Sequence, residues 1–179
     1  MPTRPTSQDN DGWPDLPGDT ALTLHVPEAD ALVRTPSRAH ITLLYPFLPL
    51  DRITPETDAE LRSLFASAPP LPLTFTEVRR WPGVLYLPPA PDDPLRALTK
   101  ALRQRWPEAV PYRGIFGDEG LDPHLTLASG AGTDDVPETE FTGALPLHAR
   151  VESVKLIVTE GAGTGWRDLR TYRLGPPGY

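Results

Sequence analysis

The sequence predicts an α+β fold in which helices pack outside antiparallel sheets. Three observations carry this. About seven short stretches alternate apolar and polar residues at the period of a strand. Two longer stretches carry an apolar stripe at helical spacing. The strands follow one another with turn residues between them, and no regular strand–helix–strand repeat of a parallel sheet is seen. With 179 residues the chain is long enough for one sizeable domain or two fused lobes.

The elements are read in chain order. Residues 1–19 are polar, with Asp9, Asp11, Asp15 and Asp19 against a single Arg4, and read as a flexible acidic tail. Residues 20–179 read as one folded unit. ALTLHVP (21–27) is a half-buried strand, with Leu22, Leu24 and Val26 inward and Thr23 and His25 outward. AHITLLYPF (39–47) is a second strand, ended by Pro46. A helix over 55–68 starts from Thr54 as N-cap with Pro55 in first position, and Leu61, Leu64, Phe65 and Ala68 form its stripe. LPLTFTEV (71–78) and GVLYLPP (83–89) read as two strands of a hairpin joined by RRWP. A second helix opens at Asp93–Pro94 with Asp93 as its N-cap. Its Leu95, Leu98, Leu102 and Trp106 face one way, and Arg96, Lys100, Arg103 and Arg105 face the other or crowd the last turn; they read as a solvated face, with a phosphate-attracting rim as the rival reading. Residues 107–121 form a loop. A strand at 123–129, a long strand at 145–158 bending near Ser153, and a last strand at 168–175 complete the set.

Composition narrows the function. Proline is 24 of 179 residues, more than twice the usual ~5%, and sits at the edges of apolar runs as punctuation. The net charge of −7 argues against a general nucleic-acid coat and allows a small or terminal nucleotide. The absence of cysteine excludes disulfides, thiolate metal sites and a cysteine nucleophile. No signal-like start and no apolar run of membrane-spanning length is found, so a cytoplasmic protein with no membrane association is expected.

Two tetrapeptides match: HITL at 40–43 and HLTL at 124–127. The chain has four histidines. Finding Thr at +2 and Leu at +3 after two of them has a chance on the order of one in a thousand at this composition. In a strand, residues i and i+2 share a face. His40 and Thr42 therefore project together, as do His124 and Thr126, while Ile41, Leu43, Leu125 and Leu127 pack. Imidazole titrates near neutrality, so one histidine can take a proton and the other give one. The threonine hydroxyls can donate to phosphate oxygens and stabilise the charge that builds there. Two such pairs facing one groove suit a phosphodiester, and this chemistry asks for no metal and no cofactor.

His25 and His148 are read as structural, each on the polar side of its strand. Tyr45 and Phe47 share the parity of buried residues. Tyr86, Trp81 and Phe116 read first as packing residues, with stacking on a nucleobase as the alternative that would make them substrate-binding. GAGTD and GAGTG lack the lysine of a phosphate loop and are turns.

On HITLLYPF (40–47), PHLTLA (123–128) and RRWPGVLYLPPAP (79–91), the chain resembles the 2H phosphoesterase superfamily, in particular its 2′-5′ RNA ligase-like members, over residues 21–175. The resemblance implies two pseudo-twofold-related lobes of antiparallel sheet with outer helices around a central groove. It implies ATP-independent chemistry on 2′,3′-cyclic phosphates or RNA phosphodiesters, by hydrolysis or by joining RNA ends through a 2′-5′ linkage. It makes His40 and His124 the acid–base pair and Thr42 and Thr126 the phosphate-binding pair. The reading leans to His40 as acid and His124 as base, with the order open. Similar RNA-ligase-type members often continue the second motif as HxTLAR. Here Ala128 is followed by Ser129 and Gly130, so that contact is missing or comes from Arg79, Arg80 or Arg113. The expected partners are RNA ends or a small nucleotide bearing a cyclic phosphate, and the expected state is a monomer. The rival readings are a phosphodiesterase for a small nucleotide such as a cyclic ADP-ribose phosphate, and a non-catalytic nucleotide- or RNA-binding module.

Overall fold

Alternation along the strands builds a single large sheet with one apolar face. The computed structural model describes residues 14–175. Among them the order is β1 (Thr20–His25), β2 (His40–Leu44), α1 (Pro55–Ala66), β3 (Leu71–Phe75), β4 (Arg79–Trp81), β5 (Val84–Leu87), α2 (Asp93–Arg105), β6 (Leu125–Ser129), a four-residue α3 (Thr139–Thr142), β7 (Leu147–Val151), β8 (Ser153–Thr159) and β9 (Trp166–Arg173). Seven strands form one sheet in the order β4-β5-β6-β2-β1-β8-β9. β3 and β7 form a second, two-stranded sheet. Every described pairing is antiparallel. The α+β class with helices outside antiparallel sheets is therefore as predicted. The two expected halves are wings of one sheet, β4-β5-β6 and β2-β1-β8-β9, which meet where Ile41 pairs with Leu125.

The core lies on one face of that sheet. Leu22, Leu24, Ile41, Leu85, Leu87, Leu125, Val154 and Leu156 are fully buried there. They share one cluster with Leu61 and Phe65 of α1, with Leu95, Leu98 and Leu102 of α2, and with Leu71, Leu73, Phe75, Ala149 and Val151 of the small sheet. Each such side chain contributes about 1.5–3 kcal/mol by leaving water. Helix α1 begins as the sequence predicts: Pro55 is in the first turn, the Thr54 hydroxyl accepts the Thr57 N–H at 3.2 Å, and the Thr57 hydroxyl accepts the Thr54 N–H at 3.4 Å. Two arginines of the basic face of α2 are held in ion pairs: Arg96 reaches Asp92 (3.0 Å) and Asp122 (2.8 Å), and Arg105 pairs with Glu60 of α1. None of the described helices is long and apolar enough to cross a membrane.

Several expected elements differ. The hairpin is β4 with β5, with Trp81 paired to Val84. The segment RRW, read as a connection, is itself a strand. Pro82 and Gly83 make the turn because proline presets its own φ and Gly83 adopts φ +72° at no steric cost. β3 pairs with β7 and not with β5. The predicted long strand at 145–158 breaks at Glu152 into β7 and β8, which belong to different sheets. The N-cap of α2 is Asp92, with Asp93 the first helical residue. The last strand starts at Trp166, two residues early.

The expected tail is only partly described, since residues 1–13 lie outside the described residues. Residues 14–19 are not loose. The Gly18 N–H donates to the Thr159 carbonyl at 2.9 Å, the Leu50 N–H donates to the Gly18 carbonyl at 2.8 Å, and Asp19 is buried.

Candidate active site

The face opposite the core carries a groove of about 660 Å³. Strand parity places the motif residues in it. Ile41, Leu125 and Leu127 are fully buried on the core side, and Leu43 is nearly so. His40, Thr42, His124 and Thr126 all line the groove. β2 and β6 are adjacent and antiparallel through Ile41 and Leu125. That sense sets His40 beside Thr126 and Thr42 beside His124, so each histidine neighbours the other motif's threonine.

Both imidazoles are fixed in the same way. His40 Nδ1 lies 2.7 Å from the Arg38 carbonyl, and His124 Nδ1 lies 2.8 Å from the Asp122 carbonyl. In each case the acceptor is the backbone two residues upstream. A carbonyl accepts only, so the proton sits on Nδ1 and Nε2 is the nitrogen that titrates. Burial lowers the His40 pKa, the Arg38 hydrogen bond opposes that, and the neighbouring His25 adds to the lowering.

Beside His124 stands an aromatic wall. Trp81 stacks on Tyr86 with centroids 4.1 Å apart and meets the His124 ring edge-to-face at 5.0 Å. Tyr86 is the register partner of Thr126 and approaches His124 at 6.0 Å. Both aromatics are buried, and neither lines the groove. Phe116 is buried against Tyr112 at 5.4 Å and borders a separate cavity of about 180 Å³ shared with Trp81. The arginines considered from the sequence are engaged elsewhere. Arg79 pairs with Glu77. Arg80 donates to the Thr133 and Val136 carbonyls at 3.0 and 2.7 Å. Arg113 pairs with Asp19 at 2.6 Å. None of the three lines the groove.

The groove instead holds residues that the sequence reading passed over. On β1, Thr23 is the register partner of Thr42 and His25 that of His40. On β8, Lys155 is opposite Thr23. Arg38, Tyr112, Trp166, Asp15 and Asp168 complete much of the wall. His25, read as structural, faces the groove with Nε2 3.0 Å from Asp30 Oδ2. A signal for it existed: Thr23-Leu24-His25 is the motif reversed, and an antiparallel neighbour aligns a reversed motif with a forward one. His148 lies on the small sheet, with its Nδ1 3.2 Å from the Thr74 hydroxyl.

A family model of the 2′-5′ RNA ligase superfamily matches residues 23–163. Among solved structures, the chain is similar to TT0787 of Thermus thermophilus, at a TM-score of 0.62 and 20% identity, covering 89% of this chain and 100% of that one. It is similar to Escherichia coli LigT complexed with 3′-AMP, at a TM-score of 0.57 and 20% identity, covering 88% and 98%. A further crystal structure described as a phosphoesterase gives a TM-score of 0.58 at 20% identity, covering 89% and 99%. These likenesses establish the fold. No curated protein sequence matches the chain.

Proposed function

This chain belongs to the 2′-5′ RNA ligase superfamily of 2H phosphoesterases, and from that premise we propose that it is a metal-independent phosphodiesterase acting on RNA ends or 2′,3′-cyclic phosphates. The observation that carries the reading is the shared anchoring of His40 and His124, each with Nδ1 on the carbonyl two residues upstream and a threonine two residues downstream in the same groove.

In hydrolysis of a cyclic phosphate, water attacks phosphorus while the neutral Nε2 of one histidine takes its proton. The bond from phosphorus to one ribose oxygen breaks, and that oxygen receives the proton held on Nε2 of the other histidine. Thr42 and Thr126 donate to the non-bridging oxygens as charge builds on them. Burial favours the neutral form of His40, and an arriving phosphate anion favours the protonated form. The aromatic wall behind His124 keeps its ring in place, a task of orientation on which rate depends steeply.

Two observations favour a short substrate over long RNA. The groove is of a size suited to a small ligand, and Arg79, Arg80 and Arg113 are engaged outside it. A small nucleotide carrying a cyclic phosphate or a similar diester is the second reading.

The test is product analysis with a 2′,3′-cyclic nucleotide in EDTA, wild type beside His124→Ala and His40→Ala. The wild type should release a single phosphomonoester isomer, and each variant should lose at least ~100-fold in turnover. Near-normal activity of both variants would refute the assignment.

A further inference from the structure

The groove does not end at the two motifs. It continues over β1 and β8 onto β9, on the side of β2 away from β6. We propose that this wing is a second anion subsite, built by Thr23, His25 and Lys155, which takes a phosphate of the substrate separate from the diester under attack. The inference rests on the motif residues holding the reacting phosphate, as proposed above.

Register places the three residues on one face. Thr23 pairs with Thr42 on one side and with Lys155 on the other, and His25 pairs with His40. Directly opposite residues of antiparallel strands share a face. Neighbouring strands lie about 4.8 Å apart, so the base of Lys155 stands roughly 10 Å from that of Thr42. The ammonium on its flexible stem covers part of that span. A second phosphate on the same nucleotide would then meet a cation.

The charges favour this side. Among the described residues lining the groove, the lysine and arginine side chains are Lys155 and Arg38. Arg38 stands next to the motif, where its carbonyl holds His40. Lys155 Nζ is 2.7 Å from Asp168 Oδ2, a carboxylate that is 61% exposed. The Lys155 side chain is 22% exposed, but its partner carboxylate is open to water, which weakens the pair, and an ammonium with three donors can keep that partner or exchange it for a phosphate oxygen. Asp30 holds the His25 ring from outside the groove lining, while its other oxygen is fixed by the Ala39 N–H at 2.8 Å. The opposing charges on the wall are Asp15 and Asp168, and Asp15 already accepts from the Tyr45 hydroxyl. On the other wing, beyond β6, Tyr86 and Trp81 are packed and Arg79 and Arg80 are engaged away from the groove.

The experiment is calorimetric binding of adenosine 3′-monophosphate and adenosine 3′,5′-bisphosphate to the full chain at low salt. The wild type should bind the bisphosphate about tenfold or more tighter, as expected for one added charge-assisted contact. In Lys155→Met that advantage should fall to about twofold or less, and Lys155→Arg should keep most of it. His25→Gln should reduce it partway. Thermal melts establish that each variant is folded. Equal affinities in the wild type, no binding of either nucleotide, or an advantage that survives in Lys155→Met would each overturn the proposal. The two readings fail separately. A bisphosphate advantage that depends on Lys155 in a protein without turnover refutes the catalytic reading alone. Turnover of a cyclic phosphate with no such advantage refutes the second subsite alone.

Discussion

Asp30 Oδ2 lies 3.0 Å from His25 Nε2, and Oδ1 of the same carboxylate accepts the Ala39 N–H at 2.8 Å. One side chain thus joins the end of β1 to the residue just before His40. Burial alone would raise the Asp30 pKa, but the Ala39 N–H and His25 together hold it below the usual carboxylate value. The loop between the two strands is thereby closed at its base, and the start of the first motif is fixed.

Removing that link should cost stability before it costs chemistry. Asp30→Ala leaves the N–H of fully buried Ala39 without its acceptor and should destabilise by about 1–3 kcal/mol. Asp30→Asn keeps an acceptor and should cost less. Urea denaturation of the three proteins measures the difference.

The contact between Trp81 and His124 predicts a split in kinetic constants. Trp81→Ala should lower kcat by about 10- to 100-fold, because a histidine displaced by an ångström transfers protons poorly. KM should change little, since Trp81 does not line the groove. Trp81→Phe should keep most of kcat. A change confined to KM would show that Trp81 touches substrate.

The two threonines should act through the transition state. Thr42→Val or Thr126→Val removes a hydroxyl donor at nearly constant volume and should cost about 10²–10³ in kcat. Thr→Ser at either position should restore much of it. Steady-state kinetics on the cyclic substrate decide the matter. Losses appearing in KM with kcat intact would mean that the hydroxyls bind the ground state as strongly.

The lowered pKa of His40 makes a prediction for stability. Between its folded value and the ordinary ~6.5 of the unfolded chain, the unfolded state binds the extra proton. Stability therefore rises with pH through that window, is fully present above it, and is lost as pH falls. In a phosphate-free buffer, the fall in Tm from pH 7.5 to 5.5 should be smaller for His40→Gln than for the wild type. An equal fall would show that His40 does not contribute.

Legibility differed between parts of the chain for physical reasons. Leu61 and Phe65 on α1, and Leu95, Leu98 and Leu102 on α2, declared themselves because a 3.6-residue period needs only its own segment to be recognised. Thr54 and Pro55 did so because a cap is made within four residues. The pairing of β3 with β7 did not, since Leu71–Phe75 and Leu147–Val151 meet across more than seventy residues and alternation says nothing of the partner. The same holds for the break at Glu152, where neither side differs in pattern but each joins another sheet. Residues 14–19 read as tail because their composition is that of a tail. Their backbone hydrogen bonds to Thr159 and Leu50 leave no mark in sequence.

By itself the sequence determined the α+β class, the two principal helices and the two His-x-Thr pairs, with the faces on which their members lie. All of these follow from local periodicity and from the alternation of side chains along a strand. Only the tertiary structure decided that the two motif strands are neighbours, that Trp81 and Tyr86 stand behind His124 and outside the groove, and that Thr23, His25 and Lys155 share the motifs' surface. Those relationships depend on which strands pair and in what register. Pairing is settled by the burial of a whole sheet face against α1, α2 and the small sheet, a property no single segment carries.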